Sequence, residues 1–193
     1  MTKRAPALAA DDRRAAIIAA ALPLLLERGS SVTTRQIAEA ACVAEGTIFG
    51  VFADKDALVR AVVDAALDPE AAERAMAEID RSLAFKEQLV AAVRIMQDRL
   101  TSIWRLVSSV GDNRIPPRPP ADFPALTGIF EAHRDCLRTT PGVAARELRA
   151  LTLAVTHPVL FADGPLNPNE IVTLLLDGIR SHESCQFSKD MNE

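Results

Sequence analysis

Apolar residues recur at steps of three and four along most of the chain, the spacing that lines one face of a helix, and an alternating strand pattern is absent from the sequence. Over residues 11–28, Ile17, Ile18, Ala21, Leu24 and Leu25 share a side, with arginines and acids opposite. Gly29 is a left-handed stop, and Pro23 should bend the axis by removing one hydrogen bond. Thr33 caps the next helix, with Gln36 three residues on completing a capping box. Ile37, Ala38 and Ala41 then face inward, and Cys42, Val43 and Ala44 make a turn. Glu45 to Val51 reads as a second short helix burying Ile48 and Phe52. Asp54 caps a third from Lys55, carrying Leu58, Val59, Val62 and Val63.

Beyond residue 67 the helices lengthen. Asp68, Pro69 and Glu70 form a helix start, with aspartate as cap and proline in the first turn. We expect the domain boundary here, giving residues 1–67 and 68–193. From 84 to 110, Leu89, Val93, Met96, Leu100, Ile103 and Val107 form the seam of a long bundle helix. Residues 111–120, GDNRIPPRPP, are a loop: a rigid connector ahead of a PxxP-type ligand. Asp122 opens a helix to about Thr139, with Leu126, Ile129, Phe130, His133 and Leu137. Thr140 and Pro141 open the next, with Ala144, Leu148, Leu151 and Val155 on one stripe. Asn167, Pro168 and Glu170 combine a cap, a first-turn proline and a capping-box acid. They start a helix carrying Ile171, Val172, Leu175, Leu176 and Ile179, and the tail after Arg180 is polar. The predicted fold class is all-α: an N-terminal three-helix helix-turn-helix unit, then a C-terminal helical bundle.

Composition narrows the function. Apolar residues make up 49% of the 193, enough for packed cores. No apolar run approaches the roughly 20 residues that span a bilayer, and the N-terminus lacks the apolar segment of a signal peptide. The expectation is a soluble, cytoplasmic protein. Cys42, Cys136 and Cys185 are far apart and without metal-ligand spacing, so free thiols are expected and no metal. His133, His157 and His182 are isolated, and no acid-base pair, phosphate loop or nucleophile order suggests an enzyme or a cofactor. Residues 1–67 balance eight basic against eight acidic side chains, and the net charge of −4 sits in the remainder. DNA binding must therefore rest on where individual cations stand.

The run from Arg14 through Leu58 resembles the N-terminal domain of TetR-family transcriptional regulators. IIAAALPLLLERGS, TTRQIAEAA, VAEGTIF and the FxxKxxL spacing carry the resemblance, over about a quarter of the chain. It implies an all-helical homodimer whose heads read double-stranded DNA and whose bodies bind a small-molecule effector. Two C-terminal helices of each subunit would form the interface. The DNA-facing residues would be Thr33, Thr34, Arg35, Glu45, Thr47, Phe49, Gly50 and Lys55, with a Lys3 and Arg4 arm. Several depart from the family's habit. Cys42 stands where glycine is usual in the turn, and Ala44 where a serine caps the recognition helix. Glu45 replaces a common cation, Phe49 a common tyrosine, and Gly50 a common histidine or tyrosine. These changes shift the expected grip from the recognition helix to Arg35 and Lys55 beside it, leaving Thr47 as the best reader within.

Trp104, Met96, Phe130, His133 and Leu100 are the effector-pocket candidates. A lone tryptophan such as Trp104 is more often core than ligand platform, and His133 suits a helix surface as well as a pocket. The expected dimer stripes are Leu148, Leu151 and Val155 with Ile171, Leu175 and Ile179, the alternative being that both pack on their own subunit. The expected function is a ligand-responsive repressor acting as a homodimer on a pseudo-palindromic operator. The alternative is a TetR-shaped interaction dimer with weak or lost DNA binding.

Overall fold

The computed structural model describes residues 10–111, 121–160 and 164–179, and every regular element among them is helical. The Lys3 and Arg4 arm, most of the 111–120 loop, His182, Cys185 and the side chain of Ile179 lie outside the described residues. No described helix is long and apolar enough to cross a membrane.

The chain divides into two units. The described part of the first is residues 10–68 and 103–111. It contains α1 (Ala10–Arg28), α2 (Thr34–Ala40), α3 (Glu45–Val51), α4 (Lys55–Ala66) and the last turns of α6 (Phe85–Val110). Ile17, Leu25, Ile37, Ile48 and Leu58 are fully buried in one core, which Leu106 and Val110 of α6 complete. The linear division at residue 67 does not carry this return of the chain. A further tie is Gly29, which ends α1 at φ +59°: a Cβ there would stand 2.4 Å from the Ser109 carbonyl oxygen. Pro23 lies inside α1 on its exposed side, and the helix continues through it.

Local caps set most helix starts. Thr33 accepts from Gln36 N while Gln36 Oε1 accepts from Thr33 N (3.2 and 2.9 Å). Asp54 accepts from Ala57 N at 2.6 Å, and Asn167 and Glu170 form the same reciprocal box at α9 (Pro168–Ile179). The exceptions are informative. Asp68 is not the cap of α5 (Glu70–Ala77): that position falls to Pro69, which has no side-chain acceptor.

The second unit comprises described residues 69–102, 121–160 and 164–179. It holds α5, the first part of α6, α7 (Pro124–Glu131), α8 (Pro141–Thr156) and α9. Met76, Leu89, Val93, Phe130, Leu148 and Ile171 anchor its core. The helix expected from Asp122 to Thr139 is only α7, followed by a 3-10 turn at Arg134–Cys136. At its start Pro124 takes the first position and Asp122 instead pairs with Arg149. At its end His133 Nδ1 lies 3.0 Å from the Ile129 carbonyl, the acceptor a continuing helix would give to the His133 N–H. A carbonyl only accepts, so Nδ1 carries the proton. The His133 N–H bonds Phe130 O instead, and the helix tightens and stops.

Candidate nucleic-acid interface and effector region

α2 and α3 present the candidate interface. α3 is amphipathic in seven residues: Ile48 is buried, whereas Glu45, Gly46, Phe49 and Gly50 are exposed. Phe49 is 53% exposed, the one large apolar side chain so open among the described residues of the first unit. On either side of it, a Cβ built at Gly46 or Gly50 meets nothing within 4 Å. Among the described residues, the positions on either side of Phe49 are therefore clear of other side chains. Thr47 is half-buried.

The turn before α3 bears the cost expected from its two departures. Cys42 is exposed at φ 54°, the one non-glycine residue with positive φ among those described. Ala44 occupies the α3 cap position with no side-chain hydrogen bond, so the first-turn N–H groups lack the acceptor a serine supplies.

The polar residues expected to grip phosphate are all engaged within the unit. The Thr33 hydroxyl accepts from Gln36 N. Thr34 Oγ1 donates to Glu45 Oε1 at 2.6 Å, linking the first residue of α2 to the first of α3. Arg35 Nε meets Glu39 Oε1 at 3.0 Å, in a pair whose side chains are 78% and 65% exposed. Such a pair holds by only about 0.3–0.5 kcal/mol and yields readily. Lys55 Nζ donates to the Ser30 carbonyl at 2.6 Å; an ammonium has three donors, so this contact orients it without exhausting it. The Arg35–Glu39 spacing was legible in the sequence. The Thr34–Glu45 and Lys55–Ser30 contacts were not, because each depends on how the turns bring helices together.

Of the five effector candidates, Met96, Leu100, Phe130 and His133 belong to the second unit and Trp104 to the first. Met96 and Phe130 are buried in the second unit's core. His133 is half-buried and stacked on Phe85, with ring centres 4.3 Å apart, and Phe85 meets Phe130 edge-on at 5.7 Å. Leu100 and Trp104 are half-buried, and Trp104 belongs to the part of α6 counted in the first unit. Phe85 is the aromatic that the periodicity missed, since it opens α6 ahead of the seam. An open groove of about 430 Å³ lies elsewhere, between Leu166, Asn167, Asn169, Glu170, Thr173 and Leu174.

The expected dimer stripes point inward. Leu148, Val155, Ile171 and Leu175 are each under 8% exposed within their own subunit, and Leu151 is half-buried against the same core. Their helical periodicity reports that core. The residues of α8 and α9 that face out include Ala150, Ala154, Thr173 and Leu174.

Residues 17–62, spanning most of α1 through α4, match the family described as bacterial regulatory proteins, tetR family. Over these residues the chain is similar to the TetR family. TetR-family members are transcriptional regulators rather than enzymes. Solved structures resemble the chain along nearly its whole length. A TetR-family regulator from Mesorhizobium loti is 17% identical, covers 91% of this chain and 100% of its own, and superposes with a TM-score of 0.61. One from Vibrio parahaemolyticus is 18% identical, with 89% and 100% coverage and a TM-score of 0.58. The multidrug binding protein EbrR, solved with imidazole, is 22% identical, with 95% and 100% coverage and a TM-score of 0.57. At such identities the likeness is one of fold, and it extends beyond the family-matched residues. No curated protein matches this chain.

Proposed function

We propose that this protein is a TetR-type, ligand-responsive repressor that binds a pseudo-palindromic double-stranded operator as a homodimer. The observation that carries the reading is the cleared outer face of α3, where an exposed Phe49 stands between Gly46 and Gly50. A helix entering the major groove needs such a face, with cations flanking it for phosphate. Arg35 and Lys55 supply the cations, with Thr33 and Thr34 beside them.

The second unit would receive the effector, with Met96, Leu100, Phe130 and His133 as its candidate contacts and Phe85 added to them. The fold likeness to EbrR, which is described as binding drugs, supports a small molecule. The outward faces of α8 and α9 would pair the subunits, since Ala150 and Ala154 permit close helix approach. An effector that binds better when the head spacing no longer fits successive major grooves would release the DNA.

The test is a gel shift on the DNA upstream of the protein's own coding sequence, at rising salt. Specific binding with a steep salt slope supports the repressor. Absence of a specific complex at low salt would falsify it. The inward ties of Thr34 and Lys55, with an acid at Glu45, favour the second reading, a TetR-shaped interaction dimer. That reading expects a shallow slope or no DNA complex.

A further inference from the structure

We propose that Glu45 reads a base, selecting a cytosine in each half-site of the bound DNA, and that Thr34 is its positioning residue. The inference rests on the DNA-binding reading above and names the chemistry of that same face.

Glu45 is exposed on α3, and the recorded partner of its carboxylate among the described residues is the Thr34 hydroxyl at 2.6 Å. An ionised carboxylate only accepts, so Thr34 is the donor and Oε2 remains available. An unsupported glutamate loses rotamer freedom when a ligand orders it. Here part of that ordering exists before DNA arrives. The adjacent residue Gly46 and the next-turn Gly50 add no side chain between the helix and a base edge.

A carboxylate in the major groove meets two kinds of donor, cytosine N4 and adenine N6. Adenine places its N7 acceptor beside N6, and a carboxylate is repelled there. Guanine N7 and O6 and thymine O4 are acceptors and are rejected outright. Cytosine offers its amino group beside a C–H edge, so it alone gives Glu45 a donor with no acceptor beside it on the same base. The acid that weakens attraction to phosphate thus returns as discrimination among bases.

The experiment selects sequences from a random duplex library with the full-length protein at low salt. We expect a cytosine at one symmetric position of each half-site, favoured by about tenfold or more. Glu45→Ala should flatten the preference there while leaving the other positions. Glu45→Gln should move it toward adenine, which a carboxamide bonds through N6 and N7. Thr34→Val should weaken the cytosine preference and Thr34→Ser restore it, a rescue that a purely structural role of the threonine would not produce. Circular dichroism melts of each variant establish that the head is folded. A preference unchanged in Glu45→Ala, or adenine selected by the unaltered protein, overturns the inference and leaves DNA binding intact. A library that yields no preferred sequence overturns both.

Discussion

At the residue scale, two small departures in one turn bear on the stability of α3. Cys42 sits at φ 54°, where a Cβ costs about 1–2 kcal/mol that glycine avoids. Ala44 leaves the α3 cap without a side-chain acceptor. Cys42→Gly and Ala44→Ser should therefore each raise unfolding free energy by about 1 kcal/mol, read from urea denaturation midpoints. The two changes touch one turn, so their sum need not be additive. For DNA, Lys55 is oriented by the Ser30 carbonyl with donors to spare. Lys55→Ala should weaken binding to all sequences alike and lower the salt slope by about 1. An unchanged slope would remove Lys55 from the phosphate contacts. Phe49→Tyr should tighten binding several-fold by adding a phosphate donor, a net gain of about 1 kcal/mol.

At the scale of elements, α6 ties the first unit together through residues that a linear reading assigns elsewhere. Gly29 combines positive φ with a 2.4 Å approach of any added Cβ to the Ser109 oxygen. Relief would require backbone to move, because the neighbour is a carbonyl rather than a flexible side chain. Gly29→Ala should cost more than the roughly 1–2 kcal/mol of the backbone conformation alone, seen as a lowered melting temperature of the whole chain. A melt that stays where it was would mean the turn relaxes. Helix starts were legible wherever the cap is local: Thr33 with Gln36, Asp54, and Asn167 with Glu170 all fall within four residues of their partners. The end of α7 was not, because His133 stops it with a ring that also stacks on Phe85, far away in sequence.

At the scale of the whole molecule, the predicted dimer stripes separate two kinds of mutation. Leu148 is fully buried in its own subunit, so Leu148→Ala should cost about 2–5 kcal/mol of stability whether or not the protein dimerises. Leu174 is 56% exposed on the outer side of α9. Leu174→Arg should leave the fold's melting near that of the parent subunit but shift the mass found by light scattering from dimer toward monomer. A dimer that survives Leu174→Arg would place the interface elsewhere. A periodic apolar stripe cannot distinguish these cases by itself, since the same spacing serves a helix packed on its own subunit or on a second one.

By itself, the amino-acid sequence determined the helical class, the helix-turn-helix frame and the resemblance of that frame to the TetR family. Those features are written in caps, apolar steps and a motif within residues 14–58, all short-range in the chain. Tertiary structure decided which stripe is core, where α6 rejoins the first unit, and that Thr34 holds Glu45. The reason is physical: propensity and capping act over a few residues, whereas burial and side-chain pairing depend on which distant surfaces close on one another.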